Sequence, residues 1–569
     1  MSKDPYANLY EVTQITNLRD VIKKRVNEFP ENPVFLVKEK KGGEYIPIST
    51  EKYDHDIDSL GTYFMNTVSK GARIAIFAET RYEWYVSYLA TTNGTGCVVP
   101  LDKELPVDDV ANMVDRAEVD ILIFSKSKID IVNKIYGAKS IKHYICMDKT
   151  DDERFLYFYD CLKIGEDKLN QGDKIFTEAT IDPEEMTILL FTSGTTAKSK
   201  AVMLCQKNIC KNLMSMFSML YIDRNDVWLS VLPLHHTYEC TCGFLGQVYR
   251  GTTVGICEGL RYIQQNLQEV KPTCILMVPV MLELFYKKIM KQVNSDPKTA
   301  AKLQKGIKLA NALHLNNKMR RKLFKQIHEV FGGRMRLIIL GGAPVNPEVL
   351  KFFQDIGFQC VQGYGLTECA PILALNRDKF FKNEAAGLPL PGCDVKILNP
   401  DEDGIGEFIS KGDNNFLGYY NDPENTALAL DSDGYYHTGD LGYIDEDGFC
   451  IITGRKKNVI IAKNGKNVFP EEIEYLLSLS PYVAESVVSG VTDEAKDDIV
   501  ILATIFPDIE EIKAKLGIET DPTEEQIMDI LKDVVAATND KLENYKRIKK
   551  TVLRMTEFEK NTSRKIKRF

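Results

Sequence analysis

Short apolar runs alternate along this chain with longer stretches in which apolar residues return every three or four positions. Residues 73–78, 121–124, 188–191, 275–278 and 337–340 are almost wholly apolar. Strands of that kind, separated by helix-length segments, predict a parallel sheet covered by helices. Residues 318–331 predict one such helix. Met319, Leu323, Ile327, Val330 and Phe331 share a face, and Lys318, Arg320, Arg321, Lys322 and Lys325 take the other. That basic face reads as solvated, with a membrane-surface role as the alternative.

The texture changes twice. Residues 384–454 are dense in Gly, Pro and Asp, with short β-like pieces at 404–409 and 445–452. They predict a turn-rich β module that closes a large domain. Beyond Gly454 and Arg455 a tail begins whose first clear helix is predicted at Pro470. Proline there suits the first turn, and Glu471 and Glu472 suit the positive end of the helix dipole. The chain divides on this reading into a large domain over 1–456, holding the β module, and a smaller one over 457–569.

Composition narrows the function classes. The 569 residues are 44% hydrophobic and 27% charged, with mean hydropathy −0.21 and a formal net charge of −9. An acidic average is a poor default for gripping nucleic acid or anionic lipid. No stretch approaches the roughly 20 apolar residues of a membrane span. Residues 1–30 show no apolar signal-peptide core. The 13 cysteines are an odd number without any C-x-x-C pair, and Cys240 and Cys242 stand too close for a usual zinc clip. Buried thiols in a cytoplasmic protein are expected.

The richest chemistry lies where the run at 188–191 meets Thr192, Ser193, Gly194, Thr195, Thr196, Ala197, Lys198, Ser199 and Lys200. Such a loop can aim hydroxyls, backbone N–H groups and an ammonium at a polyphosphate. It is not a Walker loop, since Ser199 stands where glycine must precede the lysine. Taken alone it also fits a Ser/Thr turn with solvated lysines.

The loop resembles the phosphate loop of the adenylate-forming enzymes, a superfamily of acyl-CoA synthetases, peptide-synthetase adenylation domains and firefly luciferase. Three more segments match in order. Leu340-Gly341-Gly342-Ala343-Pro344 resembles the adenine loop. Gln362-Gly363-Tyr364-Gly365-Leu366-Thr367-Glu368 resembles the central nucleotide motif. Tyr436-His437-Thr438-Gly439-Asp440, followed by Gly454-Arg455, resembles the ribose motif. The match runs from near residue 15 to the C-terminus. It implies an α/β protein whose large domain combines α/β subdomains with a small β-barrel-like module, topped by a small mobile α+β lid.

The resemblance implies attack of a carboxylate on the α-phosphate of ATP, then displacement of AMP by a thiol, usually that of CoA. Thr192, Ser193, Gly194, Thr195, Thr196 and Lys200 would hold the departing phosphates. Glu368 would offer Mg2+ a hard oxygen, with Thr192 a weaker candidate. Thr367 would donate to the α-phosphate. The adenosine would meet Gly342, Ala343, Pro344, Gln362, Gly363, Tyr364 and Gly365. Asp440 would accept from the ribose hydroxyls, with Arg455 in support. Lys565 matches the family's catalytic lysine. A cation about 4 Å from developing negative charge gains roughly 4 kcal/mol at an effective dielectric near 20, about a thousandfold in rate. Lys457 matches the hinge, and Lys463, Asn464 and Gly465 the loop brought in for the thiol step.

The segment Leu232 to Glu239 resembles the stretch before the acyl pocket, in the form found in long-chain fatty acyl-CoA synthetases, and would put His236 beside the substrate carboxylate. A medium- or long-chain fatty acid is therefore expected, with ATP and CoA as co-substrates. Adenylation of an acyl or aryl acid with transfer to a carrier-protein thiol, and a non-catalytic nucleotide-binding homologue, remain alternatives. No nucleic acid is expected; peripheral membrane contact stays open. Ala197, Ser199 and Ala201 stand where the family often has Gly, Pro and Gly, and Arg564 where it usually has Gly. The charge is uneven as well. Residues 541–569 hold 11 Lys or Arg against 3 Glu, leaving −17 over the rest.

Overall fold

The computed structural model describes residues 4–192, 199–462, 466–493, 498–560 and 566–568. The predicted runs become the strands Ala72–Phe77, Ile121–Phe124, Met186–Thr192, Cys274–Met277 and Leu337–Leu340. Among the described residues, the strands sort into five sheets, the two largest of nine and eight strands. The eight-stranded sheet is parallel through Gly96–Pro100, Ala72–Phe77, Ile121–Phe124 and His143–Cys146. Met186–Thr192 joins it in parallel, then turns back antiparallel into Lys200–Cys205. The nine-stranded sheet is parallel through Thr253–Ile256, Val227–Ser230, Cys274–Met277, Leu337–Leu340 and Gln359–Gly365. One hydrophobic core runs between these sheets and takes residues from both, including Ile74, Ile188, Trp228 and Leu276. Burial on both faces explains the uninterrupted apolar runs.

The turn-rich stretch builds a four-stranded antiparallel sheet from Asp394–Leu398, Gly406–Lys411, Tyr436–Ile444 and Cys450–Arg455. It is stitched to both large sheets, because Leu388–Pro389 extends the nine-stranded sheet and Gly418–Tyr419 pairs with Lys200–Cys205. The C-terminal part has a core of its own, drawn from Ile460, Ile473, Leu477, Ile501, Ile505, Leu531 and Ile548 among others. There Pro470–Ser478 and Glu524–Asn539 cover a three-stranded sheet.

One predicted element differs. The helix expected over 318–331 is two, Asn317–Leu323 and Lys325–Val330, parted at Phe324. Phe324 is buried, whereas Met319 and Leu323 are exposed. Arg320 accounts for the rotation. Its guanidinium donates to the carbonyls of Leu315, Ala310 and Asp355, so a cation takes the inward side that the apolar period assigned to its neighbours. All 13 cysteines are free thiols and all but Cys393 are buried, as expected. Among the described residues no helix is long and apolar enough to cross a membrane.

Candidate active site

The nucleotide motifs converge on one buried carboxylate. Asp440 and Arg455 are direct partners across the strands Tyr436–Ile444 and Cys450–Arg455. The Arg455 Nε lies 2.6 Å from Asp440 Oδ1, and the Tyr364 hydroxyl donates to Oδ2 at 2.6 Å. Burial, then the charge of Asp440, raises the Tyr364 phenol far above its ordinary pKa, so it stays a donor. Thr438 fixes the turn: its hydroxyl accepts from the Asp440 N–H and donates to the Phe408 carbonyl. Gly439 has φ +70°, a left-handed conformation that glycine adopts without strain, and its N–H donates to Glu407.

The phosphate loop leaves and re-enters the eight-stranded sheet at one rung, where Thr192 pairs with Lys200. Of the expected loop residues, Ser193, Gly194, Thr195 and Thr196 lie outside the described residues. Arg116 grips the returning strand, donating to the carbonyl of Ser199 at 2.8 Å and to its hydroxyl at 3.2 Å, with its guanidinium 5.2 Å from the Phe191 ring centroid. Ala201 is buried opposite Phe191 in the ladder, an ordinary strand position with no demand for glycine. Thr192 Oγ1 is 3.4 Å from the Lys200 carbonyl, a long contact that leaves the hydroxyl open to other partners.

Tyr419 links the loop to the central motif, and sequence reasoning missed it. Its ring lies 4.4 Å from Lys200 Nζ, and its hydroxyl donates to Glu368 Oε1 at 2.9 Å. Glu368 thus keeps one oxygen clear of Tyr419. Among the described residues no three His, Cys, Asp or Glu side chains form a metal cage. Mg2+ commonly needs only one or two carboxylates with substrate phosphates and waters, and Glu368 fits that part. Thr367 opens the short 3-10 turn Thr367–Cys369. Gln362 holds the motif in place, donating to the carbonyls of Asn383 and Ala385. Gly365 is enforced by space, since a Cβ there would stand 2.0 Å from the Pro371 carbonyl oxygen; at Gly363 the nearest atom would be Leu375 Cδ1 at 3.0 Å.

The histidine segment sits between these parts. Tyr238 donates to the Ile339 carbonyl and packs under Gly341, just before the exposed Gly342, Ala343 and Pro344. The rings of His235 and His236 are 4.1 Å apart, and His235 Nε2 stands 3.3 Å from Asp102. A π-helical turn follows, Tyr238–Leu245. Inside it Glu239 is buried, with Oε1 accepting from the Ser230 hydroxyl at 2.6 Å. Burial pushes its pKa up to about 8. A narrow apolar cavity is lined by Ile188 and Leu190 from the strand entering the phosphate loop and by Leu234, Thr237, Cys240 and Thr241 around the histidines.

At the expected hinge, Lys457 has an anchored residue on each side. Lys456 Nζ meets Glu407 Oε2 at 2.8 Å, within the four-stranded sheet; Asn458 donates to Glu471 Oε1 at 2.6 Å, on the first helix of the C-terminal part. Lys463, Asn464, Gly465, Arg564 and Lys565 lie outside the described residues. Near Lys565 the chain is pinned by a bridge between Lys560 and Ile566 and by Arg568 paired with Glu474.

Known proteins share the family and the fold. The family described as AMP-binding enzyme matches residues 22–420, and the AMP-binding enzyme C-terminal domain matches 457–568. The chain is 28% identical over 545 residues to long-chain-fatty-acid–CoA ligase 1 of Cavia porcellus, covering 90% of this chain and 76% of that protein. It is 28% identical to fatty acyl-CoA synthetase A of Dictyostelium discoideum, covering 84% and 74%. Among solved structures, o-succinylbenzoate CoA synthetase from Bacillus subtilis with its acyl-adenylate aligns with TM-score 0.73 at 22% identity, over 96% of this chain and 97% of that one. Anthranilate CoA ligase with anthranoyl-AMP aligns at 0.76 and 17%, over 100% and 98%. With both parts matched in order, the chain belongs to the AMP-binding enzyme family, the adenylate-forming enzymes.

Proposed function

We propose that the protein is an AMP-forming acid–CoA ligase whose acid is a medium- or long-chain fatty acid. The observation that carries the reading is the cluster of Tyr364 and Arg455 on the buried Asp440, a preorganised acceptor for two ribose hydroxyls. With the ribose fixed there, the α-phosphate falls toward Thr367, and the β- and γ-phosphates toward Lys200 and the loop 192–196. Bound Mg2+ at Glu368 would neutralise phosphate charge. The fatty carboxylate oxygen attacks the α-phosphorus and the bond to pyrophosphate breaks. Lys565 offsets the charge on the attacking oxygen, and His236 orients the carboxylate. The CoA thiol then attacks the acyl carbon, loses its proton and expels AMP.

The two steps need different walls. The domain boundary at 456/457 and the anchors on either side of Lys457 support rotation of the lid there, exchanging Lys565 for the loop at Lys463, Asn464 and Gly465. The fatty acid is supported by the relatives' names and by the apolar lining beside the histidine segment, where each buried methylene is worth about 0.8 kcal/mol. The test is CoA-dependent AMP release across acids of graded chain length and aromaticity. Rising kcat/KM with chain length is expected. Preference for an aryl acid, or product formed only on acyl carrier protein, would replace the fatty acyl-CoA assignment.

A further inference from the structure

The acidic average hides a second basic region besides the C-terminal one. From Lys287 to Lys325 there are 12 Lys or Arg and a single acid, Asp296. That acid is already engaged as the N-cap of the helix Pro297–Ala312, accepting from the backbone of Lys298 and Thr299. The region folds as the helices Pro279–Asn294, Pro297–Ala312 and Asn317–Leu323. Their inward residues Leu282, Ile289, Leu303 and Ala310 share one core with Phe324, so the opposite faces look outward.

Those outward faces are not purely polar. Val280, Leu284, Leu309, Leu313, Met319 and Leu323 stand between 47% and 61% exposed. Helical spacing places them in line with cations. Val280 and Leu284 share a stripe with Lys287 and Lys291; Leu309 and Leu313 continue the stripe of Lys298, Lys302 and Lys305; Met319 and Leu323 adjoin Lys318 and Lys322. Lys302, Lys305 and Lys308 are all exposed. Lysine alternating with leucine along an exposed stripe is the pattern of helices that lie in a membrane interface, where the stem follows the apolar layer and the charge reaches the headgroups.

We propose that this three-helix face docks the enzyme on an anionic lipid surface. An acidic protein would satisfy the cations. The apolar side chains, however, are spread along three helices rather than gathered into the central pocket typical of a protein hot spot. The inference goes beyond the proposed reaction, because docking is measured without turnover.

The experiment is co-sedimentation of the full chain with vesicles of phosphatidylcholine alone, or of phosphatidylcholine mixed with phosphatidylglycerol, at low and high salt. Binding to the anionic vesicles alone, weakened by salt, is expected. The triple variant K302E/K305E/K308E should lose on the order of a hundredfold in partitioning. L309S/L313S should weaken binding while leaving its salt dependence in place. Both should keep the parent melting temperature and the parent activity on a short, water-soluble acid. Absence of binding to anionic vesicles, equal binding by parent and both variants, or capture of acyl carrier protein by this face without vesicle binding would each overturn the proposal.

Discussion

The Tyr364 hydroxyl and the Asp440 carboxylate, 76 residues apart in sequence, meet at 2.6 Å. A short hydrogen bond to a charged acceptor in a buried setting is among the stronger neutral-to-ion contacts. It fixes the carboxylate before any nucleotide arrives. Asp440→Ala should therefore lower kcat/KM for ATP by about a hundredfold, ~2.7 kcal/mol, with most of the loss in KM. Tyr364→Phe removes only the orienting donor and should cost several-fold less. Pyrophosphate exchange at graded ATP concentrations measures both, and equal losses would contradict the division of labour.

Arg116 ties down Ser199 at one end of the phosphate loop. Where the family often has proline to stiffen that turn, this chain uses a side chain reaching across from the helix Val107–Arg116. Arg116→Ala should raise KM for ATP several-fold while kcat stays within about twofold, since no reacting atom is touched. Arg116→Lys retains one donor and should recover part of the loss. A fall in kcat with unchanged KM would exclude this positioning role.

Glu239 makes a pH prediction. Its unfolded value is near 4.5 and its folded value about 8. Between those limits the unfolded chain has released the proton and the folded one keeps it, so this group makes stability fall as pH rises from 4.5 to 8 and adds no slope above. Glu239→Gln cannot ionise and still offers Ser230 an acceptor oxygen. Its melting temperature relative to the parent should rise from pH 5 to pH 8. Parallel curves would show that Glu239 does not set the slope.

The two half-reactions separate the lid residues. Lys565→Ala should cripple adenylation far more than thioester formation from pre-made acyl-adenylate. Lys457→Pro should spare adenylation and block the thiol step, because it fixes φ at the expected pivot. Single-turnover measurements on each half-reaction decide, and normal overall turnover in the proline variant would refute the hinge.

Much of this was legible in the sequence because the motifs are local. Strands apolar on both faces announced themselves at 121–124 and 337–340, and Asp440 and Tyr364 stood inside contiguous signatures. Tyr419 did not, because its role depends on an antiparallel pairing with Lys200–Cys205 across more than two hundred residues. Arg116 was hidden because its side chain reaches from the helix Val107–Arg116 to Ser199, 83 residues further on. The helix at 318–331 misled because an apolar period shows amphipathicity without saying which side faces inward. Three backbone carbonyls capturing Arg320 turned Met319 and Leu323 outward, while Ile327, Val330 and Phe331 kept the inward side.

The anchors flanking Lys457 have a mechanical meaning. Lys456 meets Glu407 on one side and Asn458 meets Glu471 on the other, which brackets the proposed pivot at Lys457. Rotation at that residue would be a torsion about its two backbone bonds. Arg455, holding Asp440, is two residues from that axle. Were the lid to turn there as proposed, the proposed ribose seat and the pivot would share one short stretch of chain, and a change at either would bear on the other.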